Sequence, residues 1–124
     1  MVFLNRGAPY ILGILRVVVG LLFLEHALMK FVGFPAPMGH GPLPPMIMAA
    51  GIIELVGGTL VTLGLFSRIA AFVCSGEMAF AYFIAHFPRS IYPAINGGEA
   101  AIMYCFIFLY LAAAGPGAFA VNRK

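Results

Sequence analysis

Few residues in this chain could do chemistry, and their distribution is specific. The only carboxylate side chains are Glu25, Glu54, Glu77 and Glu99; there is no aspartate, and each glutamate falls in a different apolar run. An ionised side chain at the centre of a membrane helix costs about 2.5–3.5 kcal/mol, so carboxylates at such depth need cations, hydrogen-bond donors or protons. The cations and imidazoles within reach are Arg16, His26, Lys30, His86 and Arg89. A buried cluster of this composition can hold a polar ligand head group or hand on protons.

At about 1.5 Å of rise per residue, Arg16, Glu77 and Glu54 fall roughly 10–18 Å into the apolar layer, and Glu25, His26, Glu99, His86 and Lys30 roughly 24–32 Å. The inner layer makes Arg16 the expected counter-ion of Glu77 or Glu54, with the fixing of an anionic or quinone-like ligand as its other use. Helical phase narrows the set. Arg16, His26 and Lys30 share an arc of about 80°, whereas Glu25 points about 180° from Arg16. Glu25 therefore belongs at a subunit contact or near the surface, a secondary position it shares with Arg89. Glu77 and His86, nine residues apart, also face opposite ways unless their helix is irregular. Around Glu54, the stretch Ala50-Gly51-Ile52-Ile53-Glu54-Leu55-Val56-Gly57-Gly58 places Ala50, Gly57 and Gly58 near the carboxylate, so a second helix can bring a polar group close. Gly13, Gly20 and Ala27 form a similar stripe. No metal site is expected, because Glu-x-x-His pairs are missing and Glu25-His26 are adjacent. Met38, His40, Met46 and Met48 are soft ligands without repetition, read as surface-lying residues. Cys74 and Cys105 lie in apolar runs and read as packing thiols. No phosphate-binding loop or nucleophile elbow is present.

These residues must be positioned by elements that live in lipid. Of 124 residues, 63% are hydrophobic and 9% charged, against roughly a quarter charged in soluble domains. A water-soluble globule is excluded, and the scattered basic residues give no patch for nucleic acid. The expected fold is all-α: a polytopic membrane protein with a four-transmembrane-helix bundle, a single domain over 1–124. Its helices cover about 10–31, 46–66, 68–87 and 97–114. Residues 32–45, rich in proline and glycine, form a surface loop that can act as a lid. Gly64-Leu65-Phe66-Ser67-Arg68 makes the second and third helices antiparallel neighbours. Asn96 is an expected N-cap, and Gly115-Pro116-Gly117 stops the last helix. Arg6, Arg68, Arg123 and Lys124 lie at one side, Lys30 and Arg89 at the other, which makes both termini cytoplasmic.

Taken in order, these stretches resemble the DoxX family of small four-span bacterial membrane proteins over essentially the whole chain. The likeness is carried by Leu15-Arg16, Gly20-Leu21-Leu22-Phe23-Leu24-Glu25-His26, Lys30, the Glu54 stretch and the Gly64–Arg68 turn. It continues through Gly76-Glu77-Met78-Ala79, Ala81-Tyr82-Phe83, His86, Asn96-Gly97-Gly98-Glu99 and the final Gly-Pro-Gly. The resemblance implies a protein of the bacterial cytoplasmic (inner) membrane linked to redox systems. It maps Arg16, His26, Lys30, Glu54, Glu77, His86 and Glu99 onto the recurrent polar positions. Relatives tend to end in an acidic Ser-Leu-Asp-like segment, which Ala118-Phe119-Ala120-Val121-Asn122 lacks. The expected function is a subunit or accessory of a quinone-linked redox system. Its partners are the lipid bilayer and a membrane protein or a second copy. The alternatives are a small proton or solute transporter, with Glu54, Glu77 and Arg16 lining the path, and a purely structural subunit of a larger membrane complex.

Overall fold

The computed structural model describes residues 1–37 and 41–122. Among them the chain is helical, without strands: α1 (Val2–Arg6), α2 (Ala8–Phe31), α3 (Pro45–Leu63), α4 (Ser67–Ala81), α5 (Pro93–Asn96) and α6 (Glu99–Ala114). A π-helical turn over Tyr82–His86 and a 3-10 turn over Phe87–Arg89 continue α4. Three segments, Ala8–Phe31, Pro45–Leu63 and Ser67–Arg89, are long and apolar enough to cross a membrane. α6 is apolar but shorter, at 16 residues. The expected start at residue 97 fails because Gly97 adopts φ 75°, a left-handed conformation that breaks the helix.

The boundaries follow from local chemistry. α3 ends at Leu63, three residues before the expected position, because Gly64 turns left-handed. The Gly64 and Leu65 amides then close a Schellman-type cap on Leu60 and Val61 carbonyls. α4 loses regular geometry ahead of Pro88, which has no amide hydrogen to give and whose ring crowds the preceding turn.

α2 packs on α3, α3 on α4 and α4 on α6. Phe23 of α2 closes the ring, with its centroid 5.4 Å from Tyr104 and 4.8 Å from Phe108 of α6. Val19, Val61, Ala71, Cys74 and Leu111 complete the core. The small residues admit close approach: Gly20 lies on Thr62, Gly57 on Cys74 and Gly58 on Leu24. Outward-facing Val18, Leu21, Ile52, Ile69, Phe72, Phe106 and Tyr110 stay exposed, a surface suited to hydrocarbon rather than water.

The segment after α6 folds back over the end of the bundle where α2 begins and α3 ends. The Ala118 amide donates to Pro9 O at 2.9 Å, and the Val121 and Asn122 amides donate to Leu63 O at 2.9 Å and Gly64 O at 3.0 Å. Arg68 caps α6 by donating to Ala112 O at 3.2 Å and Ala113 O at 2.6 Å.

Candidate functional site

Lys30 lies in the last turn of α2, and its side chain leans back along the helix, as side chains in helices do. That lean carries its ammonium to Glu54 of α3, where Nζ meets Oε1 at 2.6 Å with the side chains only 9% and 3% exposed. Gly51 makes the approach possible: a Cβ there would run into Phe31 and crowd the Lys30 stem. Glu77 of α4 lies beside Glu54 and interacts with it directly, and its buried Oε1 has no donor.

The π-helical turn determines what else joins this group. A π turn inserts an extra residue per turn and shifts the phase of everything after it. His86 and Arg89 thereby line the same cavity as Glu77, although their spacing on a regular helix would set His86 opposite. His86 Nδ1 donates to Asn96 O at 3.2 Å, which leaves Nε2 as an acceptor in the neutral ring. Asn96 is buried and tied on every side: Nδ2 donates to Tyr82 Oη at 3.1 Å and Ser90 O at 2.9 Å, and Oδ1 accepts from the Gly98 amide at 2.8 Å. On α2, His26 sits edge-on to Tyr104 at a centroid distance of 5.8 Å.

The cavity enclosed by these groups has a volume of about 1180 Å³. It lies between the first half of α3 and the second half of α4 with its continuation, and reaches α6. Its walls are apolar, including Met46, Ile53, Val73, Phe80 and Ile84, several of them exposed on the outside of the bundle. At the other end the two helices close up where Gly57 meets Cys74. The result is an apolar slot with two carboxyls near the Gly57–Cys74 closure, taken as its floor, and His86 and Arg89 toward the opposite end, a composition suited to a lipid-soluble molecule with a polar head.

Five of the seven residues singled out from the sequence therefore line one cavity: His26, Lys30, Glu54, Glu77 and His86, with Arg89 from the secondary pair. The other two do not. Arg16 is fully buried at the opposite end, where it pairs with no carboxylate of the described residues; Nη1 donates to Pro116 O and Ala118 O and Nη2 to Phe119 O at 2.8 Å. Both cations stand away from their expected depth for one reason: long side chains carry their charge toward the N-terminus of the helix. Lys30 thus reaches into the bundle, and Arg16 reaches back toward the tail. Glu99 is exposed in the first turn of α6, where an acid faces the positive end of the helix dipole. Glu25 is half-buried, near His26 and Tyr104 but outside the cavity lining. Asn96 holds the start of α6 from a position two residues before the cap, Gly98. Sequence reasoning missed the Tyr82–Asn96 knot; a lone asparagine beside Gly-Gly was its only signal. Met38, His40, Arg123 and Lys124 lie outside the described residues. Among the described residues, no three His, Cys or Glu side chains gather as metal ligands.

A family model described as DoxX matches residues 11–87. An uncharacterized protein of Haemophilus influenzae is 45% identical over 127 residues, covering 98% of this chain and 95% of that one. An uncharacterized membrane protein of Mycobacterium tuberculosis is 38% identical over 74 residues, covering 53% of this chain and 44% of its own. No solved structure matches the chain.

Proposed function

This chain belongs to the DoxX family, and from that premise we propose that it is a membrane subunit of a quinone-linked redox system, with the α3–α4 cavity as the ligand site. The whole chain is a single domain of the bacterial cytoplasmic membrane. In this reading α6 is the fourth span, with α5 and the Tyr92–Gly98 corner completing the crossing. The count of basic residues in the sequence puts both termini in the cytoplasm. Its working partner is a membrane-bound or membrane-docked oxidoreductase, or a second copy of the chain.

The observation that carries this reading is the buried polar floor of an otherwise apolar slot: the Lys30–Glu54 pair beside Glu77, whose Oε1 has no donor. A ring hydroxyl is the donor that this oxygen lacks, and the apolar walls suit a prenylated ring. When bound, a quinone supplies two-electron, two-proton chemistry. The chain's part is to seat the ring against α4, to accept a hydrogen bond at Glu77, and to exclude water with Met46, Ile53, Val73 and Ile84. Lys30 holds Glu54 in place, so that Glu77 is the carboxyl left to face a ligand.

The test is binding of a ubiquinol or menaquinol analogue to the purified protein in lipid nanodiscs, read by equilibrium dialysis. We expect saturable binding at one site per chain. Glu77→Ala should weaken it about fivefold or more, the size of one hydrogen bond. No saturable binding, or equal binding by Glu77→Ala, would overturn the reading. Proton flux in proteoliposomes without any quinone would move the assignment to transport.

A further inference from the structure

Lys30 and Arg89 are the cations that line the cavity, Glu54 and Glu77 the carboxyls, and His26 and His86 the imidazoles. Their pairing is uneven. Lys30 is spent on Glu54, and Glu77 lies against Glu54 at the floor. Arg89 forms no ion pair or hydrogen bond with any described residue. Twelve residues separate it from Glu77 along α4 and its continuation, roughly 18 Å at helical rise, too far for the floor carboxyl to neutralise it. The remaining carboxylates, Glu25 and Glu99, do not line the cavity. A guanidinium that is always ionised, with five donors in a planar fork, therefore stands exposed at one end of an apolar slot, without an anion among the described residues.

The slot is accordingly polarised, with acceptors at the bottom and a cation at the top. An anionic group driven to the floor would meet two carboxyls, whereas at the opposite end it would meet Arg89. We propose that the cavity selects a ring compound bearing an acidic hydroxyl, bound as its anion, and that Arg89 determines this preference. The ligand class is the hydroxylated, ionised quinones. The inference rests on the quinone reading above and adds a charge and an orientation to it: anion outward at Arg89, uncharged ring functions inward toward Glu77.

The π-helical turn supports the same conclusion. It brings Arg89 onto the cavity side of α4, and the Asn96 knot, through His86 Nδ1 and Ser90 O, fixes the turn on which Arg89 sits. An arginine whose only task was to reach lipid head groups would need neither.

The deciding experiment compares an alkylated hydroxynaphthoquinone, ionised at neutral pH, with its uncharged methyl ether. Both are titrated into the full chain in nanodiscs of zwitterionic phosphatidylcholine, so that the bilayer itself carries no net charge. We expect the acid to bind at least about tenfold more tightly than the ether, the contribution of one charge-assisted hydrogen bond. Arg89→Gln should bring the two within about threefold, and Arg89→Lys should keep part of the preference. Equal affinity of acid and ether for the unaltered protein would overturn the proposal while leaving the quinone reading intact. An undiminished preference in Arg89→Gln would likewise overturn it, and would assign Arg89 to lipid phosphates. Failure of both compounds to bind would overturn the quinone reading as well. The comparison on the unaltered chain stands even if the glutamine variant does not fold.

Discussion

Lys30 and Glu54 show how two residues from different helices come to define a site. Their pair is buried, so its charges have little water to fall back on, and each is tolerable only because the other is present. Lys30→Met should therefore destabilise the protein by about 3–5 kcal/mol, the cost of stranding a buried charge. Lys30→Met with Glu54→Leu should recover most of that loss, measured as thermal unfolding of the purified protein in detergent. A double variant no more stable than Lys30→Met would show that the pair is held for something other than mutual neutralisation. Sequence spacing showed that Glu54 needs a partner and that small residues flank it. It did not show which cation would arrive. Helical depth locates Cα atoms, and a lysine or arginine head group lies a long stem away from its own.

At the scale of elements, the π-helical turn has the largest effect on the site. The spacing of Glu77 and His86 is nine residues, which a regular α-helix renders as opposite faces, and only an inserted residue reconciles the two. Hydrophobic periodicity cannot display such an insertion in a stretch that is apolar all round, so the outer cluster was illegible from sequence alone. The nearby Pro88 was the available clue, because a proline disturbs the turn ahead of it. Inserting one alanine between Ala85 and His86, with the π turn kept, should rotate His86 and Arg89 by about 100° from their present face. The expected result is loss of most quinone-analogue affinity with the helical circular dichroism nearly unchanged; retained affinity would show that the turn is incidental to the site. The helix ends were more legible. Gly64 and the Gly115-Pro116-Gly117 stop stand close to where the punctuation of the sequence placed them, because left-handed glycine and proline act within a few residues.

Across the whole molecule, the two ends of the bundle are built on opposite plans. The end with Lys30 and Arg89 opens into the cavity, while the other is closed by the chain's own tail, bonded to Pro9, Leu63, Gly64 and Arg16. The composition made a lipid-embedded helical protein legible at once; the closure was not, since backbone carbonyls carry no sequence signature. Truncation after Ala114 would strip Arg16 of all three of its acceptors. It should lower stability by about 3–5 kcal/mol, with Arg16→Met in the truncated chain restoring much of it, read by thermal unfolding in detergent. An unaffected truncated chain would mean that water or lipid replaces the tail. The same closure sets a schedule for biosynthesis. Arg16 is made about a hundred residues before the carbonyls that satisfy it, so every nascent chain carries an unsatisfied guanidinium in α2 until the tail segment has been made. A product that stops before Pro116 keeps that charge without the carbonyls that satisfy it.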